Sequence, residues 1–484
     1  MKKPLRVMKF GGTSVGDASC IERAARIVAD AGRESDVVVV VSAMGGVTNR
    51  LIAAATSAES GDRGQVAAAL EALHEQHEAA LRALIHGDGA RGWLTRRMAE
   101  VLAEGKRLCE GTMLLRELTP RALDAISSLG ERLSAPLFAE ALVEVGMHSE
   151  AVDATELIVT DPYHGAAEPD RDLTRQRSEA RLRPLLTQEI VPVVTGYIGA
   201  TPEGVLTTLG RGGSDYSATI LGAALGADEI IIWTDVDGVL TADPKLVPDA
   251  RTIPEISYRE AAELAYFGAK VLHPKTLRAV MQAGIPVWIR NSFAPERTGT
   301  KITPLGRGNG GGVKALTAIS DASLITVGGP GIFGVPDVVG RTFSTTAELR
   351  ANVLLISQSS SQNDICFIVS SVDAKRTVDG LRQQFAHDLA HEVVEHVTLK
   401  PDIAIVAVVG ENMRGMPGIA GRTFNALGRE KVNIIAIAQG SSECNISFVV
   451  EREAMAAALV AVHREFALDA PGSRQEKRGF GSSA

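Results

Sequence analysis

The stretch TTLGRGGSDYSAT, from Thr207 to Thr219, combines a glycine-rich loop with the beginning of an apolar segment. Its glycines, Gly210, Gly212 and Gly213, allow positive φ angles and let bare backbone N–H groups approach a ligand. Arg211 lies among them and offers a planar fork that suits a carboxylate or a phosphate. We therefore predict a loop that binds anions.

The residues after this loop have the apolar spacing of a buried helix, at Ala218, Leu221, Ala224 and Leu225. The loop would then lead into the N-terminus of that helix, with Ser214 or Asp215 as its N-cap. The alternative is a surface turn with a flexible arginine. A solvent-exposed turn does not require an arginine between glycines next to so apolar a helix, which favours the anion site.

Composition indicates a large α/β protein. The chain has 484 residues, 45% hydrophobic and 4% aromatic, with 48 glycines. Such a chain is expected to form about two to four domains with cores of alanine, valine and leucine, and many tight turns between strands and helices.

Charge and cysteine usage narrow the functional classes. The net charge is −8, and no block of lysine and arginine resembles a nucleic-acid-binding surface. No apolar run approaches the roughly 18 residues of a membrane span. The four cysteines form no C-x-x-C pair, which is typical of a reducing compartment. We therefore expect a soluble, cytoplasmic protein that binds neither nucleic acid nor membrane.

Two further segments end a predicted strand in a glycine turn. Leu5–Phe10 leads into GGTSVG at 11–16, and the valine run Val37–Val41 leads into SAMGG at 42–46. Lys9, just before the first turn, supplies a cation for a phosphoryl group. The first turn is not a Walker A loop, because Asp17 and Ala18 stand where Lys and Ser/Thr are required. The alternative is a structural turn with a surface lysine.

These turns are expected to meet in space. In a parallel sheet the loops at the carboxyl ends of the strands gather at one edge. The loops that carry Lys9, Thr48 and Arg211 would then converge although they are distant in sequence.

The segment from Gln65 to Leu118 is predicted to be mostly helical, with a break at Gly87, Gly89 and Gly92. His74 and His77 are one residue short of the H-E-x-x-H metal motif, so we predict a solvated helix face. Glu131 follows this segment, and it either binds an ammonium group or serves as a capping or surface glutamate.

The next predicted strands are 190–197 and 229–233. Thr234 and Asp235 follow the second strand and suggest a contact with ribose or with a metal-bound nucleotide, although a plain β-turn is the alternative. A second turn carries Lys245, and Lys270 lies at a junction between helices, where it is well placed for phosphate.

The C-terminal third contains a repeat, because residues 334–369 align with 415–450 at a constant offset of 81 without a gap. The shared residues include GRTF at 340–343 and 421–424. Each unit is predicted as strand, glycine-rich turn, helix, strand, strand, helix, and resembles an ACT domain, the amino-acid-sensing βαββαβ module. The second unit lacks its last strand, and the strand at 313–319 is the predicted donor.

Six motifs, in order along the chain, together resemble the aspartate kinase family: KFGGTS (9–14), SAMGGVTN (42–49), GERLS (130–134), TTLGRGGSDYSA (207–218), WTDVDGVLTADP (233–244) and FGAKVLHP (267–274). The resemblance implies an amino-acid-kinase-type three-layer α/β/α sandwich with a largely parallel sheet, followed by two ferredoxin-like (βαββαβ) ACT domains. We predict the catalytic domain at 1–308, the ACT domains at 313–400 and 401–470, and a disordered tail at 471–484. A monofunctional enzyme is expected, with no homoserine dehydrogenase portion.

The resemblance also implies the reaction, which is phosphorylation of the β-carboxylate of L-aspartate by ATP and Mg²⁺, the first step towards lysine, threonine, methionine and, in some organisms, ectoine. Lys9 and Asp215 would be catalytic. Aspartate would be held by Thr48, Glu131, Arg211, Gly213 and Ser214. ATP would be held by Lys9, Gly11, Gly12, Thr13, Ser14, Thr234, Asp235, Lys245 and Lys270. Two departures are the Leu240 and Lys245 side chains, where some family members have Tyr and Arg.

The ACT pair implies regulation by an amino acid. Asn352 and Gln358, with their equivalents Asn433 and Gln439, are the predicted effector residues. The ISQSSS and IAQGSSE segments resemble threonine-sensitive rather than lysine-sensitive members, and a homodimer or a dimer of dimers through the ACT domains is expected. The alternatives are ACT units that serve only dimerisation, a sibling kinase acting on glutamate or acetylglutamate, and a catalytically silent ACT sensor.

Overall fold

The computed structural model describes residues 3–268, 272–306, 312–329, 336–358, 364–440 and 443–469. It divides into two units. The first unit contains residues 1–239, 252–258 and 271–306, and the second contains 240–251, 259–270 and 307–484. Two segments that lie inside the predicted catalytic domain, 240–251 and 259–270, thus belong to the second unit.

The first unit is built on an eight-stranded sheet. Its strands are β1 (Leu5–Phe10), β2 (Asp36–Val41), β3 (Ser149–Val152), β4 (Val191–Thr195), β7 (Glu229–Thr234), β8 (Glu255–Ser257), β9 (Val287–Asn291) and β10 (Thr300–Thr303). Their order is β3-β4-β2-β1-β7-β9-β10-β8, and every pair is parallel except β9 with β10. A separate hairpin joins β5 (Ile198–Ala200) to β6 (Leu206–Thr208).

The valine run explains why the sheet is covered on both faces. All five valines of Val37–Val41 are at most 2% exposed, so both faces of β2 are buried. A central parallel strand needs such a continuous β-branched run, because helices cover both sides.

Helices form the two outer layers. The first layer contains α1 (Ala18–Gly32), α2 (Val47–Ser60), α3 (Arg63–Leu84), α4 (Asp88–Leu115), α5 (Pro120–Ser127) and α6 (Leu129–Glu144). The second contains α7 (Arg171–Thr187), α8 (Gly213–Leu225) and α10 (Pro274–Ala283). Gly222 lets α8 lie close to the sheet, since an added Cβ would meet the Ile230 side chain at 2.4 Å. The predicted three-layer sandwich with a largely parallel sheet is confirmed.

Two details of the predicted helical region were wrong. The break between α3 and α4 spans residues 85–87, whereas Gly89 and Gly92 lie inside α4. His77 is fully buried rather than solvated, and its Nδ1 lies 2.7 Å from the Leu73 carbonyl oxygen. The buried face of α3 includes the position of His77, which was predicted to be solvated, because neighbouring helices cover that side of α3.

The second unit contains a six-stranded antiparallel sheet. Its strands are β11 (Ala315–Gly328), β12 (Val353–Gln358), β13 (Asp364–Ser370), β14 (His396–Val409), β15 (Ala436–Gln439) and β16 (Asn445–Glu451), in the order β12-β13-β11-β14-β16-β15. The helices of this unit are α11 (Pro336–Glu348), α12 (Ser371–Gln384), α13 (Ala386–Ala390), α14 (Ile419–Arg429) and α15 (Met455–Glu465). Helix α9 (Tyr258–Tyr266) also belongs to it, apart from its first residue.

The two repeats exchange strands through β11 and β14. Residues 315–319 of β11 pair with 405–409 of β14, so the segment predicted as a donor lies beside the first strand of the second repeat. In return, residues 396–400 of β14 pair with 324–328 of β11, in the first repeat. Each long strand therefore serves both repeats.

Segment 240–251 contributes to the core of the second repeat. Ala242 and Val247 are 4% and 3% exposed and pack with residues of β14, β16, α14 and α15. A buried ion pair between Lys314 Nζ and Glu260 on α9, at 2.8 Å, also lies in this unit.

None of the helices within the described ranges combines the length and apolarity of a membrane-spanning segment.

Candidate active site

A cavity of about 580 Å³ opens where the carboxyl ends of the parallel strands of the first unit meet. It brings together eight of the predicted site residues: Lys9, Gly12, Thr48, Glu131, Arg211, Gly213, Ser214 and Asp215. The three loops that carry Lys9, Thr48 and Arg211 therefore do converge, because parallel strands deliver their following loops to one edge of the sheet.

The glycine-rich loop has the conformation that its sequence predicts, with two corrections. Gly210 and Gly212 have φ angles of 80° and 71°, whereas Gly213 does not have a positive φ. The N-cap of α8 is Gly212 and not Ser214 or Asp215, and no side chain caps the helix. Gly213 N donates to the Gly210 carbonyl oxygen at 2.9 Å, while Ser214 and Asp215, in the uncapped first turn of α8, line the cavity. An uncapped helix N-terminus at the cavity favours an anionic ligand.

The two predicted catalytic residues form an ion pair. Lys9 Nζ lies 2.6 Å from Asp215 Oδ1, and both side chains are largely buried. Lys9 is on β1 and Asp215 is in the first turn of α8, so two rigid elements fix the pair.

Glu131 is a buried carboxylate with an unsatisfied oxygen. It lies in the first turn of α6 and is 3% exposed, and Oε2 has no hydrogen-bond partner among the described residues. Burial raises the pKa of Glu131 to about 8, although the backbone N–H of Ala43 and the charge of Lys9 act to lower it. Such a group gains most from a cationic ligand, since an ammonium would restore its ionised form.

Arg211 is exposed at the opening of the cavity and makes no ion pair with any part of the chain that the structure describes. Burial lowers the pKa of His273, and the positive charges of Lys275 and Arg211 lower it further. The guanidinium is thus available to an anionic ligand.

The other residues of the first glycine turn have different surroundings. Gly11 N donates to the Trp233 carbonyl oxygen at 3.1 Å, and Thr13 is exposed. Ser14 is buried, with its Oγ 2.8 Å from Ser292 Oγ. The Ser14 hydroxyl therefore fixes the turn to the segment after β9 and does not line the cavity.

Thr234 and Asp235 follow β7, next to the same turn. Thr234 Oγ1 donates to Asp235 Oδ1 at 3.2 Å, and Asp235 is exposed. Asp237 holds this loop, because it accepts hydrogen bonds from Asn291 Nδ2, at 2.7 Å, and from Arg297. Sequence reasoning did not identify the bracing role of Asp237.

Lys245 belongs to the second unit, where it is exposed on a turn whose Asp243 side chain accepts from its backbone N–H at 2.9 Å. Lys270 lies outside the described residues.

Two residues of the first unit were not predicted. Tyr197 lines the cavity with a φ of 70°, which is unusual for an aromatic residue. Gln76 donates from Nε2 to the carbonyl oxygens of Gly45, at 3.1 Å, and Gly16, at 3.4 Å, so it braces both glycine turns. Neither the strand pattern before Tyr197 nor the helical pattern around Gln76 indicated these roles.

The four predicted effector residues occupy matching, exposed positions in the second unit. Asn352 and Asn433 precede β12 and β15, which end at Gln358 and Gln439. The two strands are edges of the sheet, yet Ser357 Oγ donates to the Ile437 carbonyl oxygen at 3.5 Å. The sheet curves enough to bring the two glutamine-bearing ends near each other.

Comparison with known proteins supports this geometry. Residues 4–291 match the amino acid kinase family, and residues 325–385 and 406–466 each match an ACT domain. The chain is 37% identical over 469 residues to bifunctional aspartokinase/homoserine dehydrogenase 1 of Arabidopsis thaliana, covering 96% of this chain and 51% of that protein. It spans about half the length of several such bifunctional relatives. It is 32% identical to aspartokinase 1 of A. thaliana, covering 95% of this chain and 80% of that protein.

Solved structures give the same result. Aspartokinase III of Escherichia coli, in complex with aspartate and ADP, superimposes with a TM-score of 0.80 at 31% identity, covering 95% of this chain and 99% of that one. The Clostridium acetobutylicum aspartate kinase shares the fold, with a TM-score of 0.79 at 24% identity. The chain therefore belongs to the amino acid kinase family and, within it, to the aspartokinases that carry paired ACT domains.

Proposed function

We propose that this protein is an aspartate kinase that transfers the γ-phosphoryl group of ATP to the β-carboxylate of L-aspartate and is regulated by an amino acid through its ACT domains. The observation that carries the proposal is the cavity in which the Lys9–Asp215 ion pair, the unsatisfied Glu131 carboxylate and the exposed Arg211 guanidinium occur together. This set provides opposite charges for each charged group of aspartate and of a phosphate.

The substrate would be held by its backbone groups. Arg211 would bind the α-carboxylate in a bidentate manner, and Glu131 would bind the α-ammonium. Thr48, Gly213 and Ser214 line the same cavity and supply further polar contacts. The β-carboxylate would then point towards Lys9.

The chemistry requires positioning rather than a strong base. A carboxylate with a pKa of roughly 4 is already ionised at neutral pH, so no proton has to be removed from the nucleophile. Lys9 would neutralise charge on the transferred phosphoryl group, and Asp215 holds Lys9 in place at 2.6 Å. The N-terminus of α8 adds backbone N–H groups on the same side of the cavity.

The nucleotide would lie over the first glycine turn, with Gly11, Gly12, Thr13 and Ser14 forming that turn and Thr234, Asp235, Lys245 and Lys270 as further contacts. Among the described residues, no three His, Cys, Asp or Glu side chains are grouped so that they could hold a metal ion. Nucleotide-bound Mg²⁺ needs only one or two protein carboxylates. Asp215 fits that requirement. When bound, Mg²⁺ neutralises charge on the phosphates.

Regulation is proposed to involve threonine, on the basis of the ISQSSS and IAQGSSE segments. Gln358 and Gln439 end the two edge strands that approach each other, and Asn352 and Asn433 precede those strands. We also propose a cytoplasmic homodimer, or a dimer of dimers, formed through the ACT domains. E. coli aspartokinase III has been solved in complex with lysine and aspartate, which makes lysine the alternative effector to test.

The decisive experiment is trapping of the acyl phosphate with hydroxylamine after incubation with aspartate, ATP and Mg²⁺, with and without threonine or lysine. Hydroxamate formed from aspartate, but not from glutamate or acetylglutamate, would support the proposal. Inhibition by threonine alone would support the effector assignment. No hydroxamate from aspartate would contradict the kinase function and favour a silent ACT sensor.

A lysine variant tests the phosphate site. Lys9→Ala should lower turnover by about a thousandfold or more while the KM for aspartate stays within a few-fold, because Lys9 acts on the phosphoryl group. Lys3→Ala removes an exposed lysine that precedes the same strand and serves as the control. Normal turnover of the Lys9 variant would show that the phosphate site was assigned wrongly.

A further inference from the structure

Asp124 is a buried acid that the proposed reaction does not use. It lies on α5 and is 2% exposed. A carboxylate at such depth is costly unless hydrogen-bond donors surround it. The donors that surround Asp124 come from two loops beside the cavity.

The first loop is the segment around Gly165. The Gly165 backbone N–H lies 3.1 Å from both carboxylate oxygens of Asp124, and His164 Nδ1 lies 2.8 Å from Oδ2. Gly165 itself lines the cavity. Asp124 therefore holds one wall of the proposed aspartate site from behind.

The second loop is the one that carries Arg211. Thr208 donates to Asp124 twice, from Oγ1 to Oδ1 at 2.5 Å and from the backbone N–H to Oδ2 at 3.2 Å. Thr208 is the last residue of β6 and lies three positions before Arg211. The carboxylate thus fixes the point from which the glycine-rich loop departs.

The two loops are also in direct contact. Gly210 has a φ of 80°, and an added Cβ there would lie 2.8 Å from the Gly165 carbonyl oxygen. Ala167 N also donates to the Thr208 carbonyl oxygen at 2.9 Å. The two loops are thus joined to each other directly and, in addition, through the carboxylate of Asp124.

We propose that Asp124 is a positioning residue for the amino-acid substrate, which sets the separation between the Gly165 wall and the Arg211 loop and so the place where the α-carboxylate of aspartate binds. This inference rests on the proposed function. Its effect is expected on the amino-acid side of the cavity, because among the described residues the hydrogen bonds to the Asp124 carboxylate come from His164, Gly165 and Thr208 and not from the first glycine turn.

The test is steady-state kinetics of Asp124→Asn, which keeps the shape of the side chain but replaces an acceptor with a donor. We expect the KM for aspartate to rise about tenfold or more while the KM for ATP stays within about twofold. Thr208→Val, which removes one hydroxyl donor and keeps its volume, should raise the KM for aspartate by about threefold. If Asp124→Asn does not fold, the result for Thr208→Val decides.

Asp62→Asn is the matched control. Asp62 also accepts a hydrogen bond from a backbone N–H, that of Gln65 at 3.0 Å, but it caps α3 and is bonded to neither of the two loops among the described residues. Its kinetics should match those of the wild type. An unchanged KM for aspartate in the folded variants, or an equal rise in the KM for ATP, would overturn the inference. Absence of acyl phosphate from the wild-type protein would instead overturn the proposed function, and this inference with it.

Discussion

At the scale of single residues, the burial of Glu131 makes a specific demand on the substrate. With a pKa raised to about 8 by burial, this carboxyl is mostly protonated in the empty site at neutral pH. An ammonium ligand requires its ionised form, so binding of aspartate should be coupled to loss of a proton. The effect should be visible in the pH dependence of affinity.

The first prediction follows from the sign of that shift. Below about pH 8, each unit of falling pH should weaken aspartate binding by up to about tenfold, and above it the affinity should level off. Glu131→Gln should abolish this dependence and raise the KM for aspartate by about tenfold or more at high pH, because the charge-assisted bond is lost. Measured KM values between about pH 6 and about pH 9 check this, with the KM for ATP as internal control. Parallel pH profiles for variant and wild type would contradict it.

His77 supplies a second prediction, about stability. Burial lowers its pKa to about 4, and Nε2 has no partner within the described ranges. The unfolded chain, with a histidine pKa near 6.5, therefore binds more protons than the folded protein. As pH falls from about 6.5 to about 4, the free energy of unfolding should decrease by up to about 3 kcal/mol from this group.

Substitution by an apolar residue should remove that contribution. His77→Leu should show a weaker loss of unfolding free energy between about pH 7 and about pH 4.5 than the wild type, measured by urea denaturation. His86→Gln, a change at an exposed position just after the same helix, is the control and should follow the wild type. If His77→Leu loses stability as steeply as the wild type on acidification, the acid sensitivity lies elsewhere.

At the scale of elements, the strands of the first unit could be predicted because their sequence patterns are distinctive. The Val37–Val41 run has no plausible place except a strand covered on both faces, and glycine turns follow each strand at the site. The convergence of the loops required only that the strands be parallel. The roles of two residues in α3 were less predictable. The burial of His77 depends on which helices cover its face of α3, and the hydrogen bonds of Gln76 depend on where the two glycine turns lie.

The N-cap of α8 was mispredicted for a local reason. Ser and Asp are common caps, and Ser214 and Asp215 follow the glycines directly. In the structure Gly212 takes the cap with a φ of 71°, while Asp215 pairs with Lys9. A functional charge partner therefore outweighed a local capping preference, and sequence spacing within the loop does not contain that information.

Helix α15 and segment 240–251 give the third prediction. Thr241 Oγ1 lies 3.0 Å from His463 Nε2 on α15, and Arg251 Nε donates to the Leu468 carbonyl oxygen at 2.6 Å. These bonds fix both ends of the segment that carries Lys245. Loosening this anchor should therefore destabilise the second unit.

His463→Leu keeps most of the buried volume but leaves Thr241 without this partner. We expect the free energy of unfolding of the second unit to fall by about 1–2 kcal/mol, measured by urea denaturation. His387→Leu, at an exposed site on α13, is the control and should unfold as the wild type does. Wild-type unfolding of the His463 variant would show that this hydrogen bond does not stabilise the second unit.

At the scale of the whole molecule, the second unit is organised by the exchange between β11 and β14. The offset of 81 residues made the repeat and the donor strand at 313–319 predictable. The shift in pairing register between β11 and β14 could not be predicted. Pro401 lacks a backbone N–H and Asp402 has a φ of 54°, and both fall where the pairing slips between Ala322–Ile403 and Leu324–Lys400. This irregularity divides each long strand into one half for each repeat.

The last prediction is that the two repeats unfold locally as one cooperative unit. Ala407 is fully buried on β14 and pairs with Thr317 of β11 and Ser447 of β16, so Ala407→Asp places an unpaired charge in the second repeat. Because β11 also pairs with β13, protection against hydrogen exchange should fall in residues 364–370 of the first repeat as well as in 445–451. Val372→Asp, at a side chain that is 90% exposed on α12, is the control and should leave both segments protected. Loss of protection confined to the second repeat in the Ala407 variant would mean that the shared strands do not couple the two repeats.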